Sequence, residues 1–203
     1  NLEFTYVFTS PLYRSLLTVK EALKNHKNKK NIKVFVHPYL TEHISGSQHN
    51  MCKGIEDKRK EFGLSVNDLS FDWKYFDHHL KVLPKANENM FYFDFIDNKK
   101  SIKNYNEQFK KIEKDYSYTS ILEFLKTFND IKQVPESFSS FNLRCKQIKK
   151  VLNDFVIEAK VNLEKEKVLV ITHSSVIKLS SSKEAGQADE IEYFPHDCIY
   201  PKF

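Results

Sequence analysis

The sequence predicts an α/β fold in three layers, with a mostly parallel central sheet flanked by helices. Two observations predict it. A strand, a helix and a second strand follow one another within the first forty residues, the order that builds a parallel sheet with a crossover helix. Near the other end, an apolar run at residues 168–172 leads through His173 into a short helix. At 203 residues the chain can bury one substantial core, so we expect a single domain over residues 1–203.

The first β-α-β unit is predicted over residues 2–37. Residues 2–9 alternate apolar side chains with others and predict a strand. Ser10 and Pro11 then open a predicted helix over residues 11–27, with Ser10 as its cap. Its apolar residues recur at helical spacing: Leu12, Leu16, Val19 and Leu23. Residues 32–37 form the second strand, which Pro38 ends.

The middle of the chain carries weaker signals. Residues 56–62 are charged and predict a short helix that Gly63 ends. Residues 64–100 are rich in aromatic residues without a clear period, so we expect an irregular insertion packed over the sheet. Two helices are predicted next, the first with its stripe at Tyr105, Phe109, Ile112 and Tyr116, and the second with Ile121, Leu125 and Phe128.

Residues 134–137 open the longest predicted helix, which is expected to bury one continuous stripe. Its members alternate steps of three and four: Phe138, Phe141, Cys145, Ile148, Leu152, Phe155 and Ala159. The strand at 168–172 and the short helix after His173 follow. A polar turn through Gly186 then leads to a closing apolar strand at residues 198–200.

The net charge of +5 does not indicate a nucleic-acid-binding protein. Lysine supplies 29 of the 32 basic residues, and the lysines are scattered among acidic residues rather than clustered. Base readout and phosphate clamps favour arginine, which occurs only at Arg14, Arg59 and Arg144. We therefore expect no nucleic-acid partner. No apolar run reaches the length of a membrane span, so none is expected.

The cysteines indicate an intracellular, cytoplasmic location. Cys52, Cys145 and Cys198 are odd in number, far apart and without the spacing of metal ligands. They are therefore expected to be reduced, and no metal site is expected. With four glycines in the chain, no glycine-rich phosphate loop is expected either.

Two residues at predicted strand ends point to an anion site. Arg14 lies in the first turn of a helix, where its guanidinium and the helix amides attract an anion together. His173 follows a buried strand at its carboxyl end, where open α/β sheets bind ligands. Ser174 and Ser175 then place backbone amides at a helix N-terminus. A solvated arginine and a structural histidine are the alternatives for each residue taken singly.

These residues resemble signatures of the histidine phosphatase superfamily, the phosphoglycerate-mutase-like proteins. Ser10-Pro-Leu-x-Arg14 is similar to its second signature, and Val168-Leu-Val-Ile-Thr-His173 is similar to its last one. Pro38-x-Leu-x-Glu42 resembles the segment after the next strand, which often supplies the general acid. Glu136-Ser137-x-x-x-Phe141-x-x-Arg144 resembles the helix before the last signature, and residues 197–199 resemble the closing strand. The matches follow the family's order nearly end to end.

The resemblance implies hydrolysis of a phosphomonoester without a metal or another cofactor, on a phosphorylated small molecule or a phosphoprotein. In the family, a histidine in an Arg-His-Gly signature is transiently phosphorylated, while arginines and a second histidine hold the phosphate oxygens. By this resemblance Arg14 is the second arginine, His173 the second histidine and Glu42 the acid, with Ser174 at the phosphate. His173 is expected to act as a cation, its pKa raised by the bound phosphate.

The sequence departs from the family at the nucleophile. None of the eight histidines is preceded by arginine, so no Arg-His-Gly is present in the 203 residues. Either a segment with that signature precedes Asn1, or the chain is a relative that no longer needs it. The alternative function is therefore a catalytically inactive family member that serves as a scaffold or subunit of a larger protein assembly.

Overall fold

One parallel sheet of four strands organises the described part of the chain. In this computed structural model the described residues are 4–44, 54–63, 69–82, 88–97, 104–115, 123 and 135–181. The sheet order is β3-β2-β1-β4, and every neighbouring pair is parallel. In chain order the strands are β1 (Phe4–Thr9), β2 (Lys33–Val36), β3 (Ser70–Asp72) and β4 (Lys167–Ile171).

Helices flank this sheet. The α-helices among the described residues are α1 (Tyr13–Leu23), α2 (Ile55–Gly63), α3 (Lys74–Val82), α4 (Tyr105–Lys114), α5 (Phe138–Glu158) and α6 (Ser174–Ser181). Short 3-10 helices are found at Lys29–Asn31, Pro38–Leu40 and Glu88–Phe95. The predicted α/β class with a parallel central sheet is therefore confirmed.

β1 lies between β2 and β4 and sends alternate side chains to opposite faces of the sheet. Val7 and Phe8 are both fully buried, but they belong to different apolar clusters. The cluster around Val7 includes Leu16 and Val19 of α1. The cluster around Phe8 includes Phe155 of α5 and lies on the other face. Apolar residues next to each other in a central strand thus bury both faces, as parallel sheets require.

The start of α1 differs from the prediction. Ser10 was expected to cap the helix, but the residue at the cap position is Leu12, and no side chain caps the helix there. The Ser10 hydroxyl instead accepts a hydrogen bond from the Leu12 amide (3.1 Å), one turn before the helix proper. Arg14 lies in the first turn, as predicted.

The structure corrects the prediction of an irregular insertion at residues 64–100. Its described part contains β3, which pairs with β2 and so extends the sheet itself. α3 and the 3-10 helix Glu88–Phe95 follow. The buried aromatic residues of this part belong to the cluster around Val7: Trp73, Phe76, Phe91 and Phe95.

α5 buries a shorter stripe than predicted. Phe141, Cys145, Ile148 and Phe155 are buried, whereas Phe138, in the first turn, is 65% exposed. Ala159, at the other end, is exposed as well. The helix therefore packs through its interior turns, and its two ends extend past the contact.

Several predicted features lie outside the described residues. They are the helix around residues 121–128 apart from residue 123, the turn through Gly186 and the closing strand at 198–200. Among the residues that are described, no helix is both long and apolar enough to cross a membrane.

Candidate functional site

The segments that follow β1, β2 and β4 meet at the carboxyl edge of the sheet. The Ser10 amide donates to the Ile171 carbonyl (3.3 Å), which joins the ends of β1 and β4. The His37 amide donates to the Thr9 carbonyl (2.9 Å), which joins the ends of β2 and β1. Because parallel strands share this edge, residues far apart in sequence are brought together there.

His173 lies against the segment that precedes α1. Its Nε2 atom is 2.9 Å from Ser10 Oγ and 3.4 Å from Ser15 Oγ, and its side chain is 6% exposed. The Ser10 oxygen already accepts the Leu12 amide, so its hydroxyl proton can be donated to Nε2. The two predicted signature segments are therefore in direct contact.

The surroundings of His173 favour its neutral form at physiological pH. Burial, together with the smaller effects of the Arg14 and Arg144 charges, lowers the pKa of His173 to about 3. The cationic form expected for this residue therefore requires an anion that offsets these effects.

Arg14 interacts electrostatically with the other two predicted residues. Burial lowers the pKa of Arg14, and the Glu42 carboxylate opposes this by stabilising the cation. An arginine stays protonated through such a shift because its ordinary pKa lies far above neutral pH. The fixed positive charge of Arg14 is thus stabilised by Glu42, and it disfavours protonation of His173.

Glu42 belongs to the segment after β2. This segment is tied to the end of β4 by the Thr172 hydroxyl, which donates to the Leu40 carbonyl (2.7 Å). Glu42 follows the 3-10 helix Pro38–Leu40 and is half-buried. Its Oε1 atom accepts the His43 amide (2.9 Å). The structure therefore brings Glu42 to the same edge as Arg14 and His173, and its role as an acid stays a prediction.

Ser174 is the first residue of α6 and is half-buried beside His173. This agrees with the predicted placement of a helix N-terminus at the strand end. Its contact with a phosphate stays a prediction.

A buried ion pair lies behind Glu42. Arg144 Nε donates to Glu136 Oε1 (2.8 Å), and Arg144 Nη2 donates to Glu136 Oε2 (2.7 Å). The arginine is 3% exposed and the glutamate is fully buried. Both residues belong to the segment that opens α5, and they face the loop after β2 rather than solvent.

Two features of the site were not predicted from the sequence: the contact of Ser15 with His173, and the pairing of Glu136 with Arg144. Ser15 adjoins Leu16 on the buried side of α1 and is 3% exposed, so a polar residue among buried apolar ones was the available signal. For the pair, the signal was a glutamate just before the predicted helix and an arginine next to the buried position of Cys145.

Cys145 is not a candidate nucleophile. Burial raises the pKa of its thiol to about 11, so the sulfur is protonated near neutral pH.

A cavity of about 440 Å³ lies at the opposite, amino edge of the sheet. It is lined at the starts of β1, β2 and β4 by residues that include Phe4, His26, Ile32 and Glu166. It takes no part in the site around His173, whose imidazole is buried.

Comparison with known proteins adds no relative. No protein-family model, no curated protein and no solved structure matches this chain. Any function inferred for this chain therefore rests on the geometry at the carboxyl edge and on the motifs themselves.

Proposed function

We propose that the carboxyl edge of the sheet binds the phosphate group of a phosphomonoester, as in the histidine phosphatases that the motifs resemble. The observation that carries the proposal is the 2.9 Å contact between His173 Nε2 and Ser10 Oγ. Ser10 begins the segment that ends at Arg14, so this contact unites the first and last matching segments in one site. Arg14 supplies a fixed positive charge there, and Glu42 supplies a carboxyl group.

The chemistry of phosphate recognition fits these residues. A phosphate dianion needs positive charge and hydrogen-bond donors around its oxygens. Arg14 offers both through its guanidinium. A bound dianion raises the pKa of His173 by favouring the imidazolium, so phosphate binding takes up a proton at Nε2. Protonated Nε2 is then a second charged donor.

Hydrolysis needs one more residue. The family's reaction forms a bond between a histidine nitrogen and phosphorus while the bond to the leaving oxygen breaks, and an acid gives that oxygen a proton. Glu42 is the proposed acid. The nucleophile is not in the 203 residues in an Arg-His-Gly context, so hydrolysis by this route depends on a segment beyond them. The proposed substrate is a phosphorylated small molecule or a phosphoprotein, and the proposed location is the cytoplasm.

A second candidate is an inactive relative that serves as a scaffold or subunit in a protein assembly. The burial of His173 favours it, because an imidazole that is 6% exposed and neutral is a satisfied structural group until an anion reaches it. In that case the site contributes to the fold and binds phosphate weakly or not at all.

Titration with inorganic phosphate, followed by calorimetry, tests the binding site. We expect Arg14→Ala and His173→Gln each to weaken phosphate binding roughly 10-fold or more, the usual worth of a charged hydrogen bond. Lys20→Ala is the matched control, since it removes one positive charge from the last turn of the same helix. It should change the affinity by less than about twofold. Equal effects of Arg14→Ala and Lys20→Ala would contradict the proposal.

Hydrolysis of an aryl phosphate by the intact protein separates the two candidates. Turnover that is abolished by Arg14→Ala and by His173→Ala, in variants that remain folded, supports the phosphatase. Phosphate binding without turnover supports the inactive relative, and full turnover in either variant refutes the assignment of these residues.

A further inference from the structure

Arg144 uses every donor that its guanidinium has. Two of its five N–H groups bind the Glu136 carboxylate. The other three donate to backbone carbonyls of one segment: Nη1 to Tyr39 (2.7 Å) and Thr41 (2.6 Å), and Nη2 to Glu42 (3.4 Å). A single side chain therefore holds three of four consecutive residues in the segment that carries the proposed acid.

Aromatic rings and Glu136 complete this arrangement. The Arg144 guanidinium carbon lies 4.7 Å from the centre of the Phe95 ring and 4.9 Å from that of Phe141. Glu136 holds the far end of the same segment, because its Oε2 accepts the Ile44 amide (3.0 Å). The amide of Glu136 in turn donates to the Ile44 carbonyl (3.2 Å). The segment from Tyr39 to Ile44 is thus bonded at both ends to this ion pair.

A contribution to stability would not by itself explain why a buried ion pair, Glu136 with Arg144, occurs at this place. Apolar residues of the same volume often replace a buried ion pair at no loss of stability, because the charges must first be stripped of water. Apolar residues could not bind three carbonyls in fixed positions. The feature specific to this pair is therefore the conformation that it imposes on the segment.

We propose that Arg144 is a positioning residue, which fixes the segment from Tyr39 to Ile44 so that Glu42 faces Arg14 across the site. This inference rests on the proposed function, because Glu42 acts there as the acid beside the phosphate. The bonds from Arg144 to the Tyr39, Thr41 and Glu42 carbonyls carry the inference, and the favourable effect of the Glu42 carboxylate on the pKa of Arg14 agrees with it.

Arg144→Lys is the test substitution, and Arg59→Lys is its control. Lysine keeps the charge but has three donors in place of five and no planar fork, so it cannot hold the carbonyls and Glu136 together. Arg59 is a similar arginine elsewhere in the fold. It stacks on Trp73 (5.0 Å) and Phe76 (5.5 Å) and pairs with Asp77 (2.5 Å).

Amide hydrogen exchange is the first measurement, and it needs no phosphate. We expect Arg144→Lys to speed exchange at least about 10-fold at residues 39–44 while the amides of β1 keep their wild-type rates. Arg59→Lys should leave residues 39–44 unchanged. Two outcomes would show that Arg144 serves stability only and would overturn the proposal. One is faster exchange over the whole sheet, and the other is an unchanged exchange rate at residues 39–44.

A double-mutant cycle with inorganic phosphate is the second measurement. In the wild-type background, Glu42→Gln should tighten phosphate binding at least about threefold, since it removes a facing negative charge. In the Arg144→Lys background the same substitution should change the affinity by less than about 1.5-fold, because the carboxylate is no longer held in place. Equal effects in both backgrounds overturn the proposal even if the melting temperature falls.

The two measurements separate this inference from the proposed function. If wild-type protein does not bind phosphate, the proposed function fails, and the exchange rates alone decide whether Arg144 holds the segment. If Arg144→Lys is unfolded by circular dichroism, Glu136→Gln replaces it in both experiments with the same expected results, because it removes the charge that orients Arg144.

Discussion

His173 and His37 are the residues through which pH acts most strongly on the described structure. Burial is the main cause that lowers the pKa of each imidazole to about 3, and the charge of Arg14 contributes to the lowering at His173. In the unfolded chain a histidine has a pKa near 6.5. The folded state therefore selects the neutral imidazole at both positions.

This selection predicts a loss of stability in acid. Above about pH 6.5 both states are neutral, so the full stability is present. As the pH falls from 6.5 towards 3, the unfolded chain binds protons that the folded state rejects. Each histidine then removes on the order of 1.4 kcal/mol of unfolding free energy per pH unit. Stability is thus lost on acidification, and it is not regained until the pH rises again.

Urea unfolding between pH 4.5 and 7.5 checks this prediction. In the acid range, the unfolding free energy of His173→Gln should depend less steeply on pH than that of the wild type, and the difference in slope should correspond to about one proton. Above pH 7 the two pH dependences should be parallel. Carboxyl groups contribute to both proteins and cancel in the comparison. Identical slopes in the acid range would show that His173 does not titrate as argued.

The site was predictable from sequence only as far as strand ends determine it. His173 follows just after its apolar strand, and Arg14 lies in the first turn of the helix that comes after β1, so the rule for parallel sheets placed both at one edge. Glu42 came from the motif resemblance. Arg144 could not be placed, because its partners are carbonyls of a loop about a hundred residues away, and only the packed fold brings them within reach.

At the scale of elements, α5 shows how a helix start is tied to the rest of the fold. Ser137 is its cap residue, and its hydroxyl oxygen accepts the Ser140 amide (3.2 Å). The same hydroxyl donates to Asp97 (2.5 Å), and the Ser137 amide donates to the other oxygen of that carboxylate (2.7 Å). The cap therefore joins α5 to the segment after the 3-10 helix Glu88–Phe95.

Ser137→Ala should lower the unfolding free energy by about 1–2 kcal/mol, because it removes the cap bond and one bond to Asp97. Chemical denaturation measures it. Ser139→Ala, two residues further on and exposed, is the control and should change stability by less than about 0.5 kcal/mol. A loss shared equally by both variants would contradict a specific capping role.

Elements were predicted where periodicity was strong and missed where it was weak. α1 and α5 have apolar residues at repeated helical spacing, and both were found. β3 has three residues with Phe71 as its one apolar side chain, too short for a period to appear. α3 buries Phe76 together with His79, which pairs with Asp94 (3.1 Å), so a polar residue occupies half of its buried stripe.

At the scale of the whole described structure, Phe155 connects α5 to the centre of the sheet. Its ring meets those of Tyr6, Phe8 and Phe35 at centroid distances of 5.0, 4.9 and 5.4 Å, edge to face in each case. These three side chains come from β1 and β2. One helical residue thus anchors the layer on this face against two strands.

Phe155→Ala should therefore cost about 3–5 kcal/mol of unfolding free energy, the range for removing a buried aromatic ring and leaving a cavity. Ile157→Ala is the control on the same helix, because Ile157 is 73% exposed. This substitution should lower the unfolding free energy by less than about 0.5 kcal/mol. Thermal and urea unfolding measure both. Similar losses would mean that α5 does not depend on this contact.

The α/β class, with helices on both faces of a parallel sheet, was predictable from the sequence, but the order of the strands in the sheet was not. The first β-α-β unit indicated a parallel sheet, because a crossover helix joins parallel strands. The position of β4 beside β1 depends on which face α5 covers, since right-handed crossovers on opposite faces move the chain in opposite directions across the sheet. Phe141 and Phe155 give α5 an apolar side, but a sequence does not say which face it will meet.

The pairing of β1 with β4 also means that β1 is synthesised well before one of its two partner strands. The central strand is made first, and one of its two neighbours is made roughly 160 residues later, which takes on the order of 8–32 s at ribosomal speed. For that time one edge of β1 lacks the partner it has in the folded protein. The contact of Ser10 with His173 therefore cannot form before β4 and His173 have been made.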